Sequence, residues 1–195
     1  LISRIIDFRK LESGKLKLEP QSLNLVTFCK DLTVDYEALC QQKNIIFHFL
    51  PSRTIIRVEF DPEKMEILLS NLISNAFKYT PEGGKIVLSI DETDEKVTLV
   101  VEDNGIGIQK EFQEVIFDRF FQIENTEIFS TGDGIGLSFV KHLVELHDGT
   151  IRVESELNKG AKFIVELPKK ERVDEPVSSE EEIIIVPKSV KENML

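Results

Sequence analysis

A chain of 195 residues, 41% hydrophobic and 30% charged, is long enough for one ordinary globular domain with a real core. Its net charge of -11 argues against general affinity for nucleic acid or an anionic membrane, so a phosphate site has to be built locally from backbone N–H groups, a few cations and a metal. No apolar run reaches the ~18 residues of a membrane span. The first residues do not read as a signal peptide.

Leu1, Ile2, Ile5, Ile6, Phe8 and Leu11 have helical spacing, and Ser13-Gly14 ends the pattern. This opening reads as the tail of a longer helix, so the chain looks like a fragment. Leu16 to Leu23 is short and extended, with Pro20 inside it. Asn24 can cap a helix with the stripe Leu25, Phe28, Cys29, Leu32, Tyr36, Leu39 and Cys40. Both cysteines read as core filler, without ligand spacing or a disulfide framework, which points to a reducing compartment. Strands are expected over Ile45–Leu50 and Thr54–Phe60.

Asp61-Pro62 is a strong helix start, with a capping carboxylate and then proline at the first helical position. That helix runs to about Tyr79 and stops before Pro81. A hairpin is expected from Lys85–Asp91 and Lys96–Glu102, followed by a glycine turn over Asp103 to Ile108. A short helix is expected near Lys110–Phe117, then a mobile loop over 118–133, then a helix from Gly134 to His147. Thr150–Ser155 and Lys162–Leu167 are the last strands. From Pro168 the composition is that of a linker. The order gives an α/β fold in two layers, a mixed sheet covered on one face by helices.

Three stretches carry candidate chemistry. On the helix after Asp61, Met65, Leu68, Leu69, Leu72, Ile73 and Ala76 form a buried stripe. Asn71, Asn75 and Lys78 share an adjacent face. Two neutral oxygen ligands and a cation on one face suit Mg²⁺ beside phosphate, although a solvated polar face gives the same pattern. In Asp103-Asn104-Gly105-Ile106-Gly107-Ile108, an aspartate held in a glycine turn can accept from an exocyclic amine such as adenine's. A strand-ending Asx turn reads the same way. In Gly132-Asp133-Gly134-Ile135-Gly136-Leu137, glycines before a helix leave amides free to cradle phosphate. This run follows no strand of a βαβ unit and lacks a P-loop ending, which sets aside both the dinucleotide and P-loop readings.

Taken together and in order, Asn71 to Pro81, Asp103 to Ile108, Phe117-Asp-Arg119-Phe120-Phe121 and Gly132 to Leu137 resemble the boxes of the sensor histidine kinase ATP-binding domain, of the GHKL (Bergerat) superfamily. Leu11 to Lys15 resembles the junction after that family's second dimerisation helix, and His147 to Thr150 the lead into its last hairpin. The resemblance covers about Leu1 to Pro168. It implies a Bergerat-type fold, with residues 1–14 ending a dimerisation helix, 15–168 forming the ATP-binding domain, and 169–195 forming a linker. Glu181 to Pro187 resembles the opening strand of a receiver domain.

The resemblance further implies ATP and Mg²⁺ as cofactors and phosphoryl transfer to a histidine for two-component signalling. Asn75 would be the main metal ligand, with Asn71 beside it. Lys78 would contact phosphate, Arg119 would be the arginine nearest the phosphates, and Tyr79 would pack near adenine. Asp103 would accept from the adenine amine, with Gly105, Ile106, Gly107 and Ile108 shaping the base pocket. Phe120, Gly132, Gly134, Ile135, Gly136 and Leu137 would belong to the lid and its hinge. Implied partners are an upstream dimerisation helix pair, in a homodimer, and a response regulator or fused receiver. The domain would be cytoplasmic, in a parent anchored in a bacterial inner membrane.

Three positions depart from the family pattern. Gly160 is followed by Ala161 where Ser or Thr is common, Gln122 stands where an arginine is frequent, and no histidine has the acceptor's surroundings. His48, His142 and His147 are expected to be structural. The fold class is shared by chaperone and topoisomerase ATPases, which Lys78-Tyr79-Thr80-Pro81 and the Phe117–Phe121 box disfavour. Ala161 and Gln122 leave open a degenerate nucleotide-binding module that only regulates a partner.

Overall fold

The computed structural model describes residues 16–121 and 134–169. The expected helix over 1–11, Gln122, Gly132 and the tail beyond 169 lie outside the described residues.

The elements in chain order are β1 (Gln21–Asn24), α1 (Leu25–Gln42), β2 (Ile46–Pro51), β3 (Arg57–Phe60), α2 (Pro62–Tyr79), β4 (Lys85–Glu92), β5 (Lys96–Asp103), two 3-10 turns (Lys110–Phe112 and Val115–Phe117), α3 (Gly136–Leu146), β6 (Thr150–Glu156) and β7 (Gly160–Pro168). A five-stranded sheet has the order β2-β4-β5-β7-β6. β2 runs parallel to β4, and every other pairing in it is antiparallel. The parallel pair needs a crossover connection, and the chain supplies it through β3 and α2. β1 and β3 form a separate antiparallel ribbon, with Gln21 opposite Phe60 and Asn24 opposite Arg57.

Strand alternation sorts the two faces of the sheet. Ile86, Leu88 and Ile90 of β4, Val97, Leu99 and Val101 of β5, and Phe163, Val165 and Leu167 of β7 are buried in one core. Against them lie Met65, Leu68, Leu69, Leu72, Ile73 and Ala76 of α2, the stripe expected from its spacing, and Phe139, Val140, Leu143 and Val144 of α3. Thr98 and Val100 point the other way and are half-buried. Among the described residues no helix is long and apolar enough to cross a membrane.

α2 begins as its sequence dictates. The Asp61 Oδ1 accepts from the Lys64 N–H at 3.1 Å, Pro62 opens the first turn, and Glu63 and Lys78 complement the helix dipole at its two ends. Thr80 closes the helix, its hydroxyl donating to the Ala76 carbonyl at 2.6 Å.

Four expected boundaries move. β3 begins at Arg57, because Ile56 donates to the Asn24 side chain (3.1 Å) and accepts from the Leu25 N–H (2.9 Å). The short helix near Lys110–Phe117 is two 3-10 turns. α3 starts at Gly136, since Gly134 has φ +64°, a left-handed conformation outside a helix. β7 starts at Gly160, pairing with Glu156. His147 is buried with both ring nitrogens engaged, which makes it structural as expected.

Candidate nucleotide site

The end of α2, the turn after β5 and the start of α3 meet on one side of the sheet. The Asn71 Nδ2 donates to the Ile67 carbonyl at 2.7 Å, and its Oδ1 faces Gly136. A Cβ on Gly136 would sit 3.0 Å from that oxygen, so the N-terminus of α3 approaches the asparagine through the space a side chain would fill. α3 has Ile135 at its N-cap and no side-chain capping bond. Its first amides are therefore placed for an anion. Asn75 lies one turn further along α2 and is half-buried, its side chain making no hydrogen bond among the described residues. Lys78 places its Nζ 4.9 Å from the centroid of the Tyr79 ring.

The glycine turn docks on the end of α2. The Ile106 N–H donates to the Tyr79 carbonyl at 3.3 Å, and Gly105 passes so close to that carbonyl that no Cβ fits. Gly107 has φ +66° and lies against the Glu156 carbonyl, where a side chain is excluded both by conformation and by contact. Ile108 and Leu137 are half-buried against the core. Asn104 and Asn158, which the sequence patterns do not single out, complete the turn. The Asn104 Oδ1 accepts from the Lys85 N–H at 2.6 Å, and the Asn158 N–H donates to the Ile106 carbonyl at 2.7 Å.

Asp103 is buried at 8% exposure, and its Oδ1 accepts from the Gly105 N–H at 2.8 Å. Burial pushes its carboxyl above the ordinary aspartate range, while the backbone N–H groups of Gly105 and Ala161 pull it back down. The departure at Ala161 thus falls beside Asp103. Its N–H serves the carboxylate, and its methyl stands where the family often carries a hydroxyl.

Phe120 and Gly134 meet at the neck of the 122–133 segment, the Phe120 N–H donating to the Gly134 carbonyl at 3.0 Å. Phe120 has φ +61° and is 68% exposed. Arg119 lines a cleft of about 460 Å³ on the stripe of α3 formed by Ser138, Lys141, His142 and Glu145, with Phe117 and Asp118.

Among the described residues no cluster of three or more His, Cys, Asp or Glu side chains could hold a metal. A cation here would be held by amide oxygens together with ligand phosphates, and hard oxygen donors of this kind fit Mg²⁺.

Residues 60–171 match the family described as "Histidine kinase-, DNA gyrase B-, and HSP90-like ATPase". "Histidine kinase P4" of Formosa agariphila is 39% identical over 172 residues, which cover 86% of this chain and 13% of that protein. The solved catalytic domain of histidine kinase ThkA is 33% identical with a TM-score of 0.70, the match covering 78% of this chain and 99% of that one. ThkA in complex with the response regulator TrrA is 29% identical with a TM-score of 0.70, covering 87% of this chain and 48% of that one. The chain belongs to this ATPase family, as a histidine kinase catalytic domain of the ATP-binding, GHKL type. It spans only a small part of the curated relative's length.

Proposed function

We propose that this domain binds Mg·ATP between α2, the 103–108 turn and the start of α3, and passes the γ-phosphoryl group to a histidine on a dimerisation helix outside the described residues. The observation that carries the reading is the buried Asp103. Its carboxylate is held in place by the Gly105 and Ala161 N–H groups, and its remaining lone pairs would accept from an adenine amine. Gly105 and Gly107 let the turn that carries it pack directly on the Tyr79 and Glu156 carbonyls.

In this reading the triphosphate runs from that turn toward Asn71, Asn75 and the N-terminus of α3, and Lys78 adds positive charge. Asn75 and the Asn71 Oδ1 supply neutral oxygens to Mg²⁺, which when bound would neutralise phosphate charge. In the transfer, a P–N bond forms at the acceptor imidazole, the bond from γ-phosphorus to the bridging oxygen breaks, and ADP leaves. Arg119, in the cleft beside Ser138, Lys141, His142 and Glu145 of α3, is the weaker phosphate contact in this arrangement. Gly132 would complete the lid hinge together with Gly134 and Ile135.

The histidines of the described core support an acceptor elsewhere. His147 is buried and both its ring nitrogens are hydrogen-bonded, so phosphorylation would break its bond to the Asp61 N–H or to the Leu143 carbonyl. The partners in this reading are a second copy, paired through the dimerisation helices, and a response regulator or fused receiver of the kind ThkA binds. The parent protein would be membrane-anchored, with this domain in the cytoplasm.

Titration calorimetry with Mg·ATP on the chain tests the reading. Wild type is expected to bind, and Asp103→Asn and Asn75→Ala to lose affinity. No binding by the folded wild-type chain would point instead to a degenerate regulatory module. Radiolabel from ATP appearing on a histidine of this chain would overturn the placement of the acceptor outside it.

A further inference from the structure

Resting on the reading of the 103–108 turn as the adenine pocket, we propose that Ser155 and Gln113 are positioning residues for base recognition. Together they latch that turn to the β6–β7 hairpin.

Ser155 lies opposite Ala161 in the β6–β7 register. Glu102 pairs with Lys162 in the β5–β7 register, so Asp103, one step on, is level with Ala161. Asp103, Ala161 and Ser155 therefore form a row across three neighbouring strands. The Ser155 Oγ accepts from the Ile108 N–H at 2.8 Å and donates to the Gly160 carbonyl at 2.7 Å. The Gln113 Nε2 donates to the Ile108 carbonyl at 3.1 Å and to the Ser155 carbonyl at 2.7 Å.

Ile108 is the last residue of the glycine turn and belongs to no ladder. Side chains satisfy both its N–H and its carbonyl. Without them the end of the turn would be held by the two bonds at Ile106, to the Asn158 N–H and the Tyr79 carbonyl, and by local backbone stiffness, which its glycines lower. Gly160, the other end of the latch, has φ +98° and packs against the Asp103 carbonyl. One hydroxyl thus couples the two backbone segments that flank the Asp103 carboxylate.

This arrangement also bears on the departure at Ala161. A hydroxyl at 161 would stand directly beside Asp103, and the chain instead carries one on the next strand over. The Ser155 hydroxyl spends its proton on Gly160 and accepts from Ile108, so its role is to hold the turn and not to touch the base.

The test compares Mg·ATP with Mg·purine riboside triphosphate, which lacks the exocyclic amine, on wild type, Ser155→Ala, Ser155→Thr and Gln113→Met. Removing a buried hydrogen-bonding group costs about tenfold in an equilibrium constant. Ser155→Ala is therefore expected to weaken ATP by about that factor, while the amine-free analogue changes much less and the preference between them shrinks. Ser155→Thr is expected to restore the preference. Gln113→Met keeps the hydroxyl and carries the same expectation in smaller measure, which covers the case of Ser155→Ala failing to fold. An equal fall for both nucleotides, or no change for ATP, would overturn the proposal. Asp103→Asn separates it from the reading beneath it. If that variant binds ATP normally, the pocket itself is misplaced. If it loses ATP while Ser155→Ala and Gln113→Met keep the amine preference, only the latch fails.

Discussion

The N–H of Asp61 donates to the Nε2 of His147 at 3.1 Å, joining residues 86 apart in sequence inside the core. An amide N–H can only donate, so Nε2 is the acceptor and the ring proton sits on Nδ1, which donates to the Leu143 carbonyl at 2.7 Å. Asp61 in turn caps α2 and accepts from the Glu19 N–H at 2.9 Å. The C-cap of α3 is thereby tied to the N-cap of α2, at the end of the helix pair away from Asn75. His147→Ala leaves a buried donor without a partner and opens a cavity. The expected loss is about 2–4 kcal/mol in urea unfolding, with Mg·ATP affinity near wild type under folding conditions. A change below half a kcal/mol would contradict the role assigned to this bond.

The two asparagines are expected to separate when measured for both stability and binding. Asn71 is buried and uses its amide to bond α2, so Asn71→Ala is expected to lose about 1–2 kcal/mol of stability as well as ATP affinity. Asn75 is half-buried and makes no such bond among the described residues, so Asn75→Ala leaves the unfolding midpoint unchanged. Outer partners of a bound metal already cost about 10–100-fold in affinity when removed, and a direct ligand is expected to cost at least as much. Calorimetry with and without Mg²⁺ checks this, since the penalty is expected only with the metal.

Asp103 gives opposite signs for folding and for binding. Burial raises its pKa above the unfolded value, so its contribution to stability is full below the unfolded pKa and lost as pH rises through the folded one. Accepting from an amine needs the carboxylate. Acidification through the raised range therefore weakens ATP binding while this group's effect on folding improves. Asp103→Asn is expected to flatten both dependences. It also lowers ATP affinity at neutral pH, because its carbonyl would stay with Gly105 and turn an NH₂ toward the base amine. An unchanged pH profile of ATP affinity in the variant would exclude Asp103 as the titrating acceptor.

Ala161→Ser places a hydroxyl beside Asp103, at a position that is 7% exposed. One added neutral hydrogen bond is worth about 1 kcal/mol, so ATP affinity is expected to rise by roughly three- to fivefold. A fall would show that the row of Asp103, Ala161 and Ser155 is packed too closely for an oxygen there.

Where local chemistry decides the outcome, the sequence is legible. Asp61-Pro62 sets the start of α2, alternation sets the β4–β5 hairpin, and the stripe from Met65 to Ala76 is the buried face. The family boxes likewise bring Asn71, Tyr79, Asp103, Gly105 and Gly136 to one place. What the sequence does not disclose depends on partners distant along the chain. The short β1–β3 ribbon and the parallel β2–β4 pairing are tertiary choices. Ser155 and Gln113 look like ordinary strand and turn residues, and only the cross-strand level of Ser155 with Ala161 marks them.

Burial pushes the Cys29 thiol up to about 12 and also raises Cys40, and neither side chain reaches solvent. Thiolate reagents therefore find no native target in the described core, and a cysteine introduced at exposed Asp94 would be labelled selectively. Asp94 sits in the turn before β5, and Asp103 ends that strand. At ~3.3 Å per residue the strand from Lys96 to Asp103 keeps a dye in that turn at least roughly 23 Å from the base pocket. The β5 strand is thus a built-in spectroscopic ruler, able to report arrival of a fluorescent nucleotide by energy transfer without touching the site it measures.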